Sequence, residues 1–242
     1  MVRRSLLLAV AAVLVGAAPA HASSTARVVV LHCTKGLDAT DRSVTFEGRI
    51  AAIPRARKMQ MRFTLQARTP DAGWAKVAAP GFRTWITAPR GLGLFLYDKT
   101  VDQLLAPASY RAVVDFRWRN AAGRVIRRSR VTSRSCHQPD PRPDLTAATL
   151  SVQPAAEPGK RRYTATLVNA GRGPAGPFEV DFTREGALLG SVQIGGLDAR
   201  SERRIAIPAV ACTPGEQIAV VVDATHEVDE SDETDNVLSV VC

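Results

Sequence analysis

Residues 222–236 read VDATHEVDESDETDN, and six carboxylates, Glu227, Asp229, Glu230, Asp232, Glu233 and Asp235, fall within nine residues of it. Carboxylate oxygens at this density suit Ca2+, which takes roughly six to eight oxygen ligands. Asp223, Asp229, Asp232 and Asp235 are the candidate ligands. Calcium is suggested by charge: clustered like charges repel, and a cation or a basic partner relieves them. The segment has neither the EF-hand spacing nor its glycine. The blander reading is a wet hairpin tip, where the acids and Asn236 accept hydrogen bonds from loop amides. That tip is the expectation, with calcium the sharper alternative.

Three other groups bear on chemistry. His32-Cys33 and Cys136-His137 make a Cys2His2 inventory, the donor set of a zinc site. Neighbouring residues on a strand point to opposite faces, so His32 and Cys33 diverge, which suits a disulfide better than a shared metal. Arg111, Arg117, Arg119, Arg128 and Arg130, with Arg62 and Arg68, recur at alternate positions of apolar/polar segments. They form a candidate site for a polyanion such as an acidic cell-wall polymer, an anionic lipid headgroup or extracellular DNA. Dedicated nucleic-acid binding is not expected, because aromatics are few and Phe63, Phe116 and Trp118 have the parity of core residues. Trp74, Phe82 and Trp85 lie in a Gly/Pro-rich stretch that could line a glycan site, although a loop tryptophan more often packs.

Little supports catalysis. Beyond residue 22 only His32, His137 and His226 remain. No G-x-S-x-G, H-E-x-x-H or Gly-rich phosphate loop occurs. Glycoside hydrolysis needs two carboxyl groups facing each other across a cleft, whereas the dense acids here share one tip. No catalytic residue is assigned, and no cofactor other than calcium is expected.

The elements that position these groups are strands. Met59, Met61, Phe63, Leu65 and Ala67 alternate with polar residues, as do Tyr110, Ala112, Val114, Phe116 and Trp118. Period two with one apolar side predicts antiparallel strands with one wet face. Val44 to Ile50 looks similar. Asn120-Ala121-Ala122-Gly123 predicts a hairpin into 124–134, and a helical turn is expected around Val101–Leu105. The second half shows about seven short strands near 145–152, 163–169, 178–183, 188–194, 203–207, 218–223 and 237–241, the rhythm of an immunoglobulin-like sandwich. The expected fold is all-β: two tandem antiparallel β-sandwiches of immunoglobulin or fibronectin-III type.

Arg3-Arg4, an apolar run from Leu6 and the Ala20-His21-Ala22 pattern read as a signal peptide over 1–22. The run is too short for a membrane span, and no apolar tail precedes Cys242, so no transmembrane anchor is expected in the mature chain. Four cysteines in an exported chain predict disulfides, most simply Cys33–Cys136 and Cys212–Cys242. Residues 23–140 carry a net charge of +13 and residues 143–242 a net charge of −7. Three alternating prolines, Pro139, Pro141 and Pro143, stiffen the join. The expected domains are therefore 23–138 and 144–242, with a linker over 139–143. Opposite charge raises a further expectation, that the basic face docks on the acidic tip. The 27 arginines against 5 lysines are also what a composition bias would produce.

The second half carries Pro143-Asp144-Leu145, then Val168-Asn169-Ala170-Gly171 and Glu185-Gly186 in a turn. Val222-Asp223-Ala224 follows, leading to Val228, Glu230, Glu233 and Asn236. Over about 100 residues this resembles the CARDB family, bacterial domains whose name records a link to cell adhesion. The resemblance implies a β-sandwich accessory module of exported and surface proteins, without catalytic residues to carry over. Asp235 and Asp232 stand where the family favours asparagine, and the Cys212–Cys242 pair is not a family feature. The first half resembles no family. The expected protein is secreted and non-catalytic, and it serves in binding, adhesion or surface structure, with a cell-envelope polymer or protein as partner. The alternatives are an accessory module or glycan-directed enzyme of the envelope, or a calcium-binding surface module.

Overall fold

The computed structural model describes residues 24–242; the signal peptide expected over 1–22 lies outside them. In the first unit, β1 (Ala26–Thr34), β2 (Ser43–Ala51) and β6 (Leu94–Asp102) form an antiparallel sheet in the order β1-β2-β6. The facing sheet is built on β3 (Lys58–Arg68), β7 (Ala108–Arg119) and β8 (Val125–Thr132). Two short strands, β4 (Ala75–Lys76) and β5 (Ile86–Thr87), pair with the free edge of β3, and β9 (Cys136–Gln138) pairs with the start of β7.

The alternation that predicted β3 and β7 is carried through. Met61, Phe63, Leu65, Phe116 and Trp118 are buried, and they meet Val44, Phe46 and Ile50 from the other sheet. Each fully buried side chain of this size contributes about 1.5–3 kcal/mol. The buried Trp118 also donates its indole N–H to the Ala51 carbonyl at 2.8 Å, tying the sheets with a polar contact. Gly48 is required where the sheets approach, because a Cβ there would lie 2.6 Å from the Phe63 ring and 2.8 Å from Met61 Sδ.

One local expectation fails. The chain around Val101 is not a helical turn: β6 continues to Asp102, and the turn follows it at Gln103, where φ is +54°. β6 is an edge strand with Leu94 and Leu96 exposed on one face and Phe95 and Tyr97 half-buried on the other. Apolar residues on both faces erase the period-two signal.

The second unit pairs a sheet of β10 (Leu145–Pro154), β11 (Lys160–Asn169) and β14 (Glu202–Val210) with a second sheet. That sheet has the order β13-β12-β15-β16, from β12 (Phe178–Arg184), β13 (Ala187–Ile194), β15 (Gln217–Val222) and β16 (Val237–Val241). All seven strands lie where the periodicity placed them. Three strands against four, all antiparallel, make an immunoglobulin/fibronectin-III-like sandwich. Tyr163, Leu167, Phe178 and Phe182 are fully buried in its core, and the Tyr163 hydroxyl donates to the Val210 carbonyl at 2.6 Å.

Both disulfides are present, Cys33–Cys136 and Cys212–Cys242. The first joins β1 to β9 across the two sheets, and the second joins the chain after β14 to the chain after β16. Among the described residues no helix is long and apolar enough to cross a membrane.

Candidate functional site

The solvent face of β3, β7 and β8 gathers the arginines into cross-strand rows. One row reads Arg62–Asp115–Arg130 and the next Gln60–Arg117–Arg128, while Gln66 faces Arg111 further along. Side chains directly opposite on neighbouring strands stand about 5 Å apart, so each row is a set of touching neighbours. Asp115 accepts from Arg130 Nε at 2.6 Å and from the Arg62 guanidinium at 2.9 Å. Burial pushes its carboxyl up, but the hydrogen bonds and charges of Arg130 and Arg62 outweigh that and hold it below the usual carboxylate range. Gln60 Oε1 accepts from Arg117 Nε at 2.7 Å and from Arg119 Nε at 3.1 Å; Gln66 Oε1 accepts from Arg111 Nε at 2.8 Å. The glutamines orient the guanidinium groups through their Nε atoms, and Arg119 also donates from a terminal nitrogen to the Gly123 carbonyl at 2.7 Å.

The chain between β3 and β6 forms a strap over the edge of this face. It is held by Val77 N–H donating to Leu65 O at 3.0 Å, Arg83 N–H to Phe63 O at 2.7 Å and Ala88 N–H to Met59 O at 3.0 Å. Gly81 turns the strap with φ at +71°. It brings Trp85 under the guanidinium groups of Arg117 at 3.5 Å and Arg62 at 4.8 Å, and Trp74 under Arg111 at 4.0 Å and Arg68 at 5.2 Å. Such stacks contribute roughly 0.5–2 kcal/mol each. An open groove of about 560 Å³ lies beside Trp85, lined by Arg62, Arg117, Arg128 and Arg130 around Asp115. A second hollow of about 260 Å³ shares Arg62, Asp115 and Arg130 and runs on to Lys76 and Arg83. Burial, followed by repulsion from Arg119, Arg62 and Arg128, draws the Arg117 guanidinium below its ordinary value, though it stays charged. This is a surface short of negative charge.

The acidic tip is arranged differently. Asp223 is fully buried, with its backbone at φ +48°, and its carboxylate accepts the N–H of Glu227 and of Val228, both at 3.0 Å. Glu230 is also buried. It accepts the Leu145 N–H, and it accepts the Asn236 amide at 2.7 Å. Burial drives its carboxyl up, the negative charges of Glu233 and Asp223 add to that, and the result is a pKa of about 7. Asp232 accepts from Thr234 N–H at 2.9 Å, and Asp229 binds the connector residue Arg142 at 2.7 Å. Ser231 N–H donates to Pro143 O at 2.9 Å, and Thr146 Oγ1 to the Asp235 carbonyl at 3.0 Å. The tip therefore clamps the connector and the start of β10.

Asp223, Asp229, Asp232 and Asp235 are not brought together: among the described residues no group of three or more His, Cys, Asp or Glu side chains is placed to hold a metal ion. The expected docking of the tip on the basic face is not formed either. The tip's ion pairs among the described residues run to Arg142 and to His226.

Residues 142–240, from the connector clamp to the last strand, match the CARDB family model. The C-terminal unit is a CARDB domain. Its buried Asn169, Asp223, Glu230 and Asn236 are residues on which the sequence resemblance rested, and each bonds loop backbone or a buried neighbour. Two solved structures overlay on the CARDB domain. The CARDB domain of a Pyrococcus furiosus protein in complex with di-metal ions is 20% identical, with 41% of this chain and 86% of that chain covered and a TM-score of 0.36. A cell surface protein domain from Methanosarcina acetivorans is also 20% identical, with 41% and 89% covered and a TM-score of 0.36. Red sea bream transglutaminase overlays at 12% identity, covering 90% of this chain and 31% of that one, with a TM-score of 0.30. No curated protein matches the chain. The unit before the CARDB domain matches no family model.

Sequence reasoning assigned no role to Asp115, Gln60, Gln66 or Arg142, and it placed Glu230 on the wet tip rather than inside. A single acid amid arginines on a wet strand face was the available sign for Asp115. The resemblance to CARDB marked Glu230, but nothing in the local sequence separated its burial from the exposure of its acidic neighbours.

Proposed function

We propose that this is an exported, non-catalytic binding protein that attaches to an anionic component of the cell envelope through the basic face of its first unit. The observation that carries the reading is the row Gln60–Arg117–Arg128, where the Arg117 guanidinium is oriented by Gln60 and stacked on Trp85 beside Arg128, with no internal carboxylate in the row. Arginine forks in this state suit carboxylate or phosphate groups. The CARDB domain supports a place at the cell surface, and two disulfides suit an oxidising compartment. The CARDB domain acts here as a rigid neighbour whose acidic tip holds the connector. Co-sedimentation of the mature chain with envelope fractions tests the reading. Saturable binding that weakens as salt rises is expected; no binding above that of an unrelated β-sandwich control would refute it.

Calcium at the acidic tip is the second reading. It is favoured by Asp235, whose carboxyl is pushed up by burial and then by the charges of Asp144 and Asp232. A cation there would relieve that repulsion. Calcium selective for the folded state at a hundred times its Kd would add about 2.7 kcal/mol of stability. A thermal midpoint unmoved by millimolar calcium would end this reading.

A further inference from the structure

We infer that the basic face binds a carboxylated polysaccharide, laid along the strands of β3 and β7 from the Trp74–Arg111 stack to the hollow at Trp85, Arg117 and Arg128. The inference rests on the envelope-binding reading and names the ligand chemistry of that site. The tryptophans and the arginines, which the sequence offers as separate glycan and polyanion candidates, are one surface. Each indole is stacked on the arginines of β3 and β7. The two hollows adjoin on this face, and Arg62, Asp115 and Arg130 line both. Arg111 and Arg117 stand six residues apart on β7, a track of about 20 Å at ~3.3 Å per residue. That length suits an extended chain rather than a compact metabolite.

The preference for carboxylate is visible in the protein itself. In the row Arg62–Asp115–Arg130 a carboxylate sits between two arginines, held by bonds of 2.9 and 2.6 Å. One register along, the middle position is Arg117, beside Arg128, and no acid fills the row. A ligand carboxylate completes there what Asp115 completes in the first row. Thr64, in the second hollow, is a partner for sugar hydroxyls. Single-stranded nucleic acid is disfavoured because its bases need free aromatic faces, whereas guanidinium groups already cover faces of Trp74 and Trp85 at 4.0 and 3.5 Å.

The test titrates the mature chain with a defined alginate oligomer, a polyuronate, by calorimetry and by tryptophan fluorescence. Neutral dextran, polyphosphate and single-stranded DNA are run alongside. Saturable alginate binding with a fluorescence change is expected, together with no binding of dextran and about tenfold weaker binding of the phosphate polymers. Arg117→Gln and Arg128→Gln should each weaken alginate about tenfold, the effect of losing one charged hydrogen bond. Arg117 also packs on Trp85, so Arg128→Gln guards against a folding defect: its side chain has no salt-bridge partner among the described residues, and its melting temperature should stay at the parent value. Absent alginate binding, alginate binding indifferent to both variants, or phosphate polymers binding as tightly as alginate would each overturn the inference. Envelope binding that persists in Arg128→Gln when alginate does not bind would sink the ligand assignment and leave the proposed function standing.

Discussion

Replacing Cys33 and Cys136 by alanine is expected to lower the stability of the first unit by about 4–5 kcal/mol, the largest single effect in the molecule. The bond closes a segment with a sequence separation of 103, and most of that chain is both sheets of the unit. Cross-linking so long a loop removes much of the unfolded chain's freedom, an effect of about 4.7 kcal/mol for roughly 100 residues in the chain-entropy description. Cys212–Cys242 spans only 30 residues, for which the same relation gives about 3.5 kcal/mol. Mild reduction should therefore destabilise the first unit more than the CARDB domain. Denaturant titration of the two double variants, read by the fluorescence of the buried Trp118 for the first unit, measures the difference. A loss below about 1 kcal/mol in the Cys33/Cys136 variant would contradict this and place the unit's stability in its apolar core alone.

The CARDB domain should lose stability as pH rises from about 5 to about 8. The cause is Glu230, whose carboxyl is raised from an ordinary 4.5 to about 7 by burial and by the neighbouring Glu233 and Asp223. Because the folded-state value is the higher one, the native domain binds the proton more tightly than the unfolded chain between those limits. The stabilisation is fully present below about 4.5 and is lost as pH passes through about 7. A shift of this size corresponds to about 3 kcal/mol. Asp235, pushed up by burial and by Asp144 and Asp232, adds a contribution of the same sign. Glu230→Gln should remove most of the slope and leave the domain more stable than its parent at pH 8. The replacement is accommodated because Asn236 Oδ1 is buried without a partner, and reorienting that amide lets it accept from the new NH2 group. A domain with the same stability at pH 5 and pH 8, or a Glu230→Gln variant that unfolds at both, would show that the buried carboxylate is not titrating in this way.

This behaviour bears on why the acidic tip reads ambiguously from sequence. Six acids in nine residues are indistinguishable as letters. In the fold Asp223 and Glu230 lie inside, bonded to the N–H groups of Val228 and Leu145, while Asp229 reaches outward to Arg142. A carboxylate placed on backbone amides satisfies donors that the turn would otherwise bury, which gives these two acids a structural role.

Local alternation alone determined much of this protein. The strands β3 and β7, all seven strands of the CARDB domain and the one-sided arginines of β7 follow from a period of two, which depends only on which residues lie next to each other along the chain. The likeness to CARDB was legible for a related reason, since its key residues lie in short turns whose geometry is set nearby. Tertiary structure decided three things that no window of sequence contains. It extended β6 through a segment with apolar residues on both faces, because pairing with β2 supplies what periodicity does not. It buried Glu230 against Leu145, 85 positions away. It also folded the strap back over β3, so that Trp74 and Trp85 meet Arg111 and Arg117. These contacts depend on where a closed loop lands on a finished sheet, and only the packing of the whole unit sets that.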